Sequence, residues 1–549
     1  MTDHLANRLD ENAAKFPDKA AFVFYRKDSQ WDTTTFKNLL DKTNRLALGL
    51  RALRLAPGTH AALMVPPSVE FFALAFALLK TGIVPIIVDP AIGLQNVTEC
   101  FKESKPEIFI GNSLTHAIRI LFGWGKETIK VNTSIAQLSQ IAKRNSEFHP
   151  SSLRQAQGDP FISHPSTTAA IIYTSGSTGL PKGAIYTHKN FAAQLDMLAR
   201  TFSISTDEID LPAFPLFALI DCLLGVTAII PDIKFPPPAK INPEKISAAA
   251  NKFNVNNMFA SPIVLDRLAT YGVKHQKKFT SLKRVITAGA PAPVQVLEDF
   301  RKVIPEDSKL FGVYGATETL PVTVIDSQEI LNETRFKSER GAGVCIGQPV
   351  DGAEVRIIRT SDSAIQKWDD SLILPMNEIG EITVSGCAVT EKYVGDEEKN
   401  RLSKICDGEK IIHRMGDVGY FDEAGRLWYC GRKSHRVMVG DETFFTECIE
   451  GIFNAHPLVY RTALAGVNGE PVLWIELEKD SRHADKEKIK EELSALAKNH
   501  PQASQIKTFL FMKKFPTDVR HNSKIIREKL TIITQKINRK DRQEREEKL

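Results

Sequence analysis

Hydrophobic positions in the first half of the chain follow two patterns in turn. Between about residues 38 and 283, helical spacing alternates with short β-branched runs such as 61–65, 87–88 and 169–173. Continuous apolar runs separated by helices are typical of strands covered on both faces. This part of the chain is therefore predicted to form layered α/β subdomains with buried sheets.

The most apolar run of the chain, residues 71–88, contains Lys80, Gly82 and Pro85. These residues predict a buried helix, a turn and a buried strand, rather than a helix that spans a membrane. The apolar stretch 211–226 either lines a lipid tunnel or belongs to the core, and a core role is the more common one for such a stretch.

The pattern changes after about Ile357, where short strands and turns predict a smaller β region. Beyond Arg432, the spacing predicts a hairpin, an amphipathic helix, a strand and a final helix. The predicted strands and helix lie at 381–384, 426–429, 462–466, 472–476, 485–498 and 508–512. We therefore predict an α/β fold with a large N-terminal domain, residues 1–431, joined by a hinge to a small α+β C-terminal domain, residues 432–549.

Length and composition agree with a globular protein of at least two domains. The chain has 549 residues, of which 42% are hydrophobic and 25% charged, and its net charge of +5 is spread over 71 basic and 66 acidic side chains. This balance argues against nucleic-acid binding and leaves peripheral contact with a membrane open. Seven scattered cysteines without a C-x-x-C pair, and a start unlike a signal peptide, predict a reduced cytoplasmic protein. The sequence leaves the oligomeric state open between a monomer and a homodimer.

The string IIYTSGSTGLPKG at residues 171–183 predicts a loop that binds phosphate. Glycines let backbone N–H groups approach an anion, hydroxyl side chains add donors, and a lysine adds charge. It is not a Walker loop, because Lys182 follows Pro181 and because 184–187 are strand formers. The alternative is an ordinary hairpin turn. The candidate phosphate ligands are Thr174, Ser175, Gly176, Ser177, Thr178, Gly179 and Lys182.

The ordered string T-S-G-S-T-G-x-P-K-G resembles the phosphate loop of the adenylate-forming superfamily, which includes acyl-CoA synthetases, peptide-synthetase adenylation domains and firefly-type luciferases. A second string, VYGATET at 313–319, is similar to the Y-G-x-T-E element of that superfamily. The resemblance implies that Tyr314 and Gly315 lie at the adenine, that Thr317 reaches the α-phosphate, and that Glu318 holds Mg²⁺.

Further elements extend the resemblance along the chain in the same order. The segment 287–292 is similar to a strand end that flanks adenine, which implies that Gly289, Ala290 and Pro291 approach the base. In HRMGDVGY, the resemblance assigns to Asp417 the two ribose hydroxyls, and in YCGRKSH it assigns to Arg432 the ribose and phosphate region at the hinge.

The last element is FPTDVRHNSKIIR at 515–527, which resembles the C-terminal P-x-T-x-x-G-K-x-x-R element. Lys524 falls on the catalytic lysine of the superfamily. Together these elements imply an enzyme in which a carboxylate attacks the α-phosphate of ATP in the presence of Mg²⁺, forming an acyl-adenylate and releasing pyrophosphate.

Three departures from the superfamily pattern concern the second half-reaction. Ala218 stands where a histidine is usual, the segment around Met438 lacks the usual lysine, and 521–523 replace the glycine before Lys524. These strings resemble the olefin-biosynthesis branch, which converts β-hydroxy fatty acids into β-lactones without CoA. The alternatives are a long-chain fatty acyl-CoA ligase that uses CoA, a luciferase-like oxidation and an inactive nucleotide-binding scaffold.

Overall fold

The computed structural model describes residues 5–26, 30–89, 92–148, 164–174, 181–214, 216–231, 238–467, 469–517 and 525–546. Within these ranges, every helix is too short or too polar to cross a membrane. The strands, in chain order, are β1 Ala20–Tyr25, β2 Trp31–Thr35, β3 His60–Met64, β4 Val84–Ile87, β5 Ile108–Gly111, β6 Val131–Thr133, β7 Thr168–Thr174, β8 Lys182–Thr187, β9 Ile209–Pro212, β10 Thr227–Ile230, β11 Asn257–Ala260, β12 Arg284–Ala288, β13 Lys309–Ala316, β14 Thr319–Asp326, β15 Val344–Pro349, β16 Glu354–Ile358, β17 Gly380–Ser385, β18 Lys404–Asp407, β19 Lys410–Phe421, β20 Leu427–Arg432, β21 Val437–Val439, β22 Glu442–Phe444, β23 Val459–Val467, β24 Glu470–Leu477 and β25 Thr508–Phe511.

Helices connect and cover these strands. The α-helices are Leu5–Lys15, Phe36–Ala52, Val69–Thr81, Leu94–Ser104, Ser113–Phe122, Ile135–Phe148, His188–Phe202, Phe217–Leu223, Pro243–Lys252, Pro262–His275, Val294–Arg301, Ser327–Glu329, Arg335–Ser338, Glu397–Ser403, Thr446–Asn454, Lys486–Ala497 and Arg527–Glu546, and a π-helical turn spans Ile330–Thr334.

Two sheets form the large N-terminal part of the molecule. One has the strand order β6-β5-β3-β4-β7-β8 and is parallel except for the β7–β8 hairpin. The other runs β2-β1-β10-β9-β11-β12-β13 and continues as an antiparallel region through β14, β15, β20, β19, β17 and β16. The predicted layered α/β fold with an added β region is confirmed.

The helix Val69–Thr81 shows how the sequence positions the core. Ser68 accepts a hydrogen bond from the Phe71 N–H at 3.1 Å, and Gly82 ends the helix with a left-handed φ of 70°. Every residue from Phe71 to Lys80 is buried, and the ring of Phe72 stacks on Phe22 at 4.5 Å. The predicted succession of buried helix, turn and buried strand is confirmed.

The C-terminal part of the chain forms a separate small sheet. Strands β23 and β24 make an antiparallel hairpin, and β25 adds to it in parallel. The helix Lys486–Ala497 starts after Asp485, whose side chain accepts from two N–H groups of the first turn. The predicted hairpin, helix and strand of a small α+β unit are therefore confirmed.

Candidate active site

The β7–β8 hairpin carries the predicted phosphate loop. Thr174 and Lys182 are paired in the hairpin register, so the two ends of the loop lie side by side. Strand β8 confirms that Lys182 is followed by a strand and not by a helix. Ser175, Gly176, Ser177, Thr178 and Gly179 lie outside the described residues, as does the side chain of Thr174.

The described end of this loop brings Lys182 into a buried, charged environment. Burial lowers the pKa of the Lys182 ammonium, and the nearby Glu318 carboxylate raises it by less. The Lys182 Nζ atom also lies 5.5 Å from the centroid of the Tyr393 ring. A lysine held beside Glu318 is well placed to meet an anion that carries a divalent cation.

Glu318 is the buried carboxylate at the centre of this environment. Its Oε1 atom accepts a hydrogen bond from the Tyr393 hydroxyl, and its backbone carbonyl accepts from the Thr390 N–H at 2.8 Å. Burial raises the pKa of Glu318, but His413, the Tyr393 hydroxyl and Lys404 lower it by more, so that the net pKa lies below its usual value. Glu318 therefore keeps its charge although it is only 9% exposed.

Lys404 and His413 complete the surroundings of Glu318. The Lys404 ammonium donates to the Thr390 carbonyl and lies 5.5 Å from the Tyr393 ring centroid. Burial lowers the pKa of Lys404 to about 7 and that of His413 to about 3. His413 is therefore neutral at pH 7, and Lys404 titrates near that pH.

Strand β8 also explains how Tyr393 reaches this cluster. The Ile185 N–H donates to the Lys392 carbonyl at 3.1 Å, and the Val394 N–H donates to the Gly183 carbonyl at 2.9 Å. This pairing brings Tyr393 beside β8, although Tyr393 is 75 residues from Glu318 in sequence. Sequence reasoning missed Tyr393 and Lys404, because neither lies in a recognised motif. A buried aromatic next to a lysine is too common a pattern to have indicated them.

The predicted adenine and ribose residues form a second, directly bonded group. The Tyr314 hydroxyl donates to Asp417 Oδ2 at 2.7 Å, and Arg432 Nη1 lies 3.0 Å from Asp417 Oδ1. Asp417 and Arg432 are partners in the β19–β20 register, which fixes their separation. The Asp417 carboxylate raises the pKa of the Arg432 guanidinium, so the arginine stays charged.

Strand β13 places Tyr314 and Gly315 at a sharp irregularity. The register with β14 shifts between Tyr314 and Ala316. A Cβ atom on Gly315 would lie 2.7 Å from Leu320 Cδ1 and 2.9 Å from the Thr319 carbonyl oxygen. Glycine therefore allows the two strands to approach closely as the chain turns toward Glu318.

The neighbouring strand β12 ends beside this irregularity. Ala288 pairs with Val313, so Gly289, Ala290 and Pro291 leave the sheet next to Tyr314. Gly289 has a φ of +98°, which a residue with a side chain adopts only under strain. The structure thus brings the three predicted adenine-flanking residues to the edge at which Tyr314 lies.

Thr317 is tied to the phosphate hairpin through its backbone. The Tyr186 hydroxyl of β8 donates to the Thr317 carbonyl. This bond joins the phosphate hairpin directly to the segment that carries Thr317 and Glu318. Strand β8 is therefore joined to the segment of Glu318 in two ways: by this bond to Thr317, and through Tyr393, which pairing with β8 brings to Glu318.

Lys524, the predicted catalytic lysine, lies outside the described residues. The structure describes both flanks of its segment. Thr517 and Ile525 form a bridge, and the Ile526 N–H donates to the Pro516 carbonyl at 2.9 Å. Arg527 is buried and donates to Glu450 at 2.5 and 2.9 Å, which attaches this flank to the helix Thr446–Asn454.

The positions of the three departures differ in their surroundings. Ala218 is fully buried in the helix Phe217–Leu223, whereas Met438 is 49% exposed on β21. Residues 521–523 lie outside the described ranges.

A cavity of about 40 Å³ lies beside Phe217 and is also lined by Phe259, Ala288 and Leu320. The stretch 211–226 therefore contributes both to the core and to the wall of a cavity.

Comparison with known proteins gives a family match and similar relatives over most of the chain. The family model described as "AMP-binding enzyme" matches residues 9–394. An olefin beta-lactone synthetase from Xanthomonas campestris is 40% identical, over 91% of this chain and 90% of the relative. Another from Stenotrophomonas maltophilia is 38% identical, over 96% of this chain and 97% of the relative.

Solved structures agree on the fold. ATP-bound MatB from Rhodopseudomonas palustris has a TM-score of 0.78 at 20% identity, and the match covers 98% of this chain and 100% of that chain. The O-succinylbenzoate coenzyme A synthetase from Bacillus subtilis, in complex with AMP, has a TM-score of 0.73 at 19% identity, covering 95% and 98%. The chain belongs to the AMP-binding enzyme family and, within it, to the group that contains the olefin β-lactone synthetases.

Proposed function

We propose that this enzyme activates a β-hydroxy fatty acid with ATP and closes the resulting acyl-adenylate to a β-lactone. The observation that carries the proposal is the identity of 40% and 38% with two olefin beta-lactone synthetases over at least nine-tenths of each chain. The buried Ala218 supports it, because an alanine cannot supply the polar group that a histidine offers at this position.

The site residues have distinct roles in the proposal. Tyr314, Gly315 and the segment Gly289, Ala290, Pro291 border the adenine, and Asp417 with Arg432 holds the ribose. The phosphate loop from Thr174 to Lys182 holds the phosphates, and Thr317 reaches the α-phosphate. Lys524 approaches the carboxylate and the α-phosphate from the C-terminal unit.

The donor set near Glu318 fits Mg²⁺. A hard cation prefers oxygen ligands and is commonly held by one or two carboxylates together with substrate phosphates. Glu318 is an ionised carboxylate, and the Tyr393 hydroxyl donates to only one of its two oxygens. When bound, Mg²⁺ would neutralise phosphate charge. Lys182 adds a positive charge on the same side.

The reaction proceeds in two steps in this proposal. First, a carboxylate oxygen of the acid attacks the α-phosphorus, and the bond to pyrophosphate breaks. Then the β-hydroxyl oxygen of the same molecule attacks the acyl carbon, the acyl–phosphate bond breaks, and AMP and a proton leave. An intramolecular nucleophile needs no second substrate to be bound and oriented.

We also propose that the hinge lies at the boundary between residues 431 and 432. Lys433, next to this boundary, contacts Glu381 of the N-terminal part at 3.1 Å and the Ser361 carbonyl at 2.7 Å. Movement of the C-terminal unit would have to break these contacts. If the hinge moves in turnover, proteolysis near Lys433 should be suppressed by ATP and the acid together, and unchanged cleavage would contradict the boundary.

Product analysis tests the proposed reaction. The enzyme is incubated with ATP, Mg²⁺ and a 3-hydroxy fatty acid, with and without CoA, and the products are identified by mass spectrometry. We expect β-lactone and AMP without CoA. A product that forms only when CoA is added would instead support a long-chain fatty acyl-CoA ligase. One from Thermus thermophilus is 23% identical over 84% of each chain.

A second experiment tests the role of Lys524. Lys524→Ala should lower acid-dependent pyrophosphate exchange by about 10²- to 10³-fold, because a preorganised cation would be lost from the transition state. Lys529→Ala, on the exposed face of the next helix, is the matched control and should keep wild-type exchange. Equal activity of the two variants would remove Lys524 from the mechanism.

A further inference from the structure

Tyr393 is a buried side chain that contacts the proposed phosphate and metal groups together but has no role in the reaction described above. It is 3% exposed, and its hydroxyl donates to Glu318 Oε1. The ammonium groups of Lys182 and Lys404 each lie 5.5 Å from the centroid of its ring. One side chain thus meets a carboxylate at its hydroxyl and two cations at its ring.

Two elements of the fold hold the backbone of Tyr393. Tyr393 forms an antiparallel bridge with Ala184 of β8. Its N–H donates to Asn400 Oδ1 at 2.7 Å, and its carbonyl accepts from Asn400 Nδ2 at 3.0 Å. Asn400 belongs to the helix Glu397–Ser403. Because a strand and a helix both hold this backbone, the Tyr393 hydroxyl starts from a fixed position.

The segment that carries Tyr393 holds Glu318 at a second point. The Thr390 N–H donates to the Glu318 carbonyl at 2.8 Å, three residues before Tyr393 donates to the Glu318 side chain. The Thr390 carbonyl in turn accepts from the Lys404 ammonium. Residues 390–393 therefore fix both the backbone of Glu318 and one of its carboxylate oxygens.

The bond from Tyr393 sets the orientation of the Glu318 carboxylate. The last torsion of a glutamate side chain is broad, so a carboxylate without such a bond samples many orientations. A phenol is protonated at neutral pH, so the Tyr393 hydroxyl is the donor and Glu318 Oε1 the acceptor. Carboxylates that bind metal ions are commonly held by such donors, and losing the donor typically lowers metal affinity about 10- to 100-fold.

The ring of Tyr393 acts on different partners from its hydroxyl. The face of an aromatic ring attracts cations, which favours the positions of Lys182 and Lys404 beside it. A phenylalanine at this position would keep the ring for the two lysines and lose only the bond to Glu318. The contribution of the hydroxyl can therefore be measured separately.

We propose that Tyr393 is a positioning residue for Mg²⁺, whose hydroxyl holds Glu318 Oε1 and leaves Oε2 for the cation that accompanies the phosphates of ATP. This inference rests on the proposed function, which supplies ATP with Mg²⁺. Tyr393 itself binds neither the cation nor the nucleotide. Removal of its hydroxyl should therefore weaken the binding of Mg·ATP and leave the binding of metal-free ATP unchanged.

Isothermal titration calorimetry of Tyr393→Phe tests this expectation. ATP is titrated into the enzyme in EDTA and in excess Mg²⁺, and the Kd in EDTA divided by the Kd in Mg²⁺ measures the coupling between cation and nucleotide. Tyr393→Phe should lower this ratio about tenfold and leave the Kd in EDTA within about twofold. Tyr460→Phe, at a half-exposed tyrosine of β23, is the matched control and should keep the wild-type ratio.

A double-mutant cycle shows whether Tyr393 acts through Glu318. In the Glu318→Gln background, Tyr393→Phe should change the ratio by less than about twofold, because the carboxylate that the hydroxyl orients is gone. In pyrophosphate exchange, Tyr393→Phe should raise the KM for Mg·ATP about tenfold and keep kcat within about threefold. A merely structural role would instead weaken the binding of ATP in EDTA as well.

Four results would overturn the inference: a wild-type ratio near one, an unchanged ratio in Tyr393→Phe, an equal loss of affinity in EDTA and in Mg²⁺, or the full loss of ratio in the Glu318→Gln background. If Tyr393→Phe does not fold, Asn400→Ala, which removes the side chain that brackets the Tyr393 backbone, is measured in the same way. Its ratio should fall about threefold, and an unchanged ratio would count against the inference. The titrations need no acid, so if the wild-type enzyme adenylates no hydroxy acid, the proposed function alone fails.

Discussion

Two groups of buried carboxyls in the N-terminal part of the molecule have opposite electrostatic surroundings. Glu318 is surrounded by the Tyr393 hydroxyl, Lys404 and Lys182, and its pKa is lowered in spite of burial. The carboxyl pair, by which we mean Asp210 and Asp221, lies beside Asn257, which donates to Asp210, and beside an arginine already paired with Glu208, and the pKa values of both members are raised. Burial raises the pKa in both places, so the difference comes from the neighbouring groups: a hydroxyl donor and basic side chains at Glu318, and a second carboxyl at the pair.

This difference indicates what each place can bind. A buried carboxylate that keeps its charge suits a divalent cation and its phosphates. A buried carboxyl that keeps its proton can both donate and accept a hydrogen bond, so it suits a neutral polar group. Glu318 thus offers a charge, whereas the carboxyl pair keeps a proton.

The largest effect should come from removing the charged carboxylate. Glu318→Gln should lower pyrophosphate exchange about 10²- to 10³-fold, because Lys182 and Lys404 would lose their counter-charge and Mg²⁺ its proposed ligand. Glu339→Gln, at an exposed carboxylate, is the matched control. An activity of Glu318→Gln close to that of the control would contradict the assignment of Glu318.

The next effect concerns the proposed ribose-binding residues Asp417 and Arg432, which belong to neither of the two carboxyl groups compared above. Asp417→Asn should raise the KM for ATP about 10- to 100-fold, because a charged acceptor for two hydroxyls is lost and Arg432 loses its ion pair. Tyr314→Phe removes only one hydrogen bond to Asp417 and should raise the KM less than tenfold. Steady-state kinetics at saturating acid measure both. A larger effect for Tyr314→Phe than for Asp417→Asn would contradict the assignment of the ribose contact to Asp417.

Motif order identified candidate residues that the strands bring together. The hairpin β19–β20 places Asp417 opposite Arg432, and both were predicted from strings that include these strands. Tyr393 could not be predicted, since it reaches Glu318 through a pairing of residues 392–394 with β8 that only the folded chain creates. Asp221 stands inside an apolar stretch, and the sequence does not say whether its carboxyl faces solvent, a partner or a cavity.

The positive charge near Glu318 can be reduced without touching the carboxylate. Lys404→Met should raise the pKa of Glu318 toward that of the carboxyl pair, since Lys404 is one of the groups that lower it. The acid limb of the exchange profile should therefore move to higher pH, and the loss of exchange should be largest at the acid end of the profile. Lys410→Met, at an exposed lysine of β19, is the control. An acid limb that does not move would mean that Tyr393 and His413 alone keep the pKa of Glu318 low.

The smallest effect should appear as a pH dependence of stability that comes from the carboxyl pair. The pKa of Asp210 is about 7 in the folded protein against an ordinary value of 3.8. Between these values the folded state binds more protons than the unfolded state, so this contribution to stability is fully present below about pH 4 and declines as pH rises through about 7. Above about pH 7 the part due to Asp210 should no longer change, whereas Asp221, whose pKa is also raised, can only extend the decline.

The double variant Asp210→Asn, Asp221→Asn lacks both titrating groups and isolates this contribution. The Tm of the wild-type enzyme minus that of the double variant should fall by about 2–5 °C between pH 5 and pH 7 and should not recover at higher pH. Scans at one fixed heating rate allow the comparison even where unfolding is irreversible. The opposite slope would place an ionised carboxylate at Asp210, and the carboxyl pair would then resemble Glu318 instead of contrasting with it.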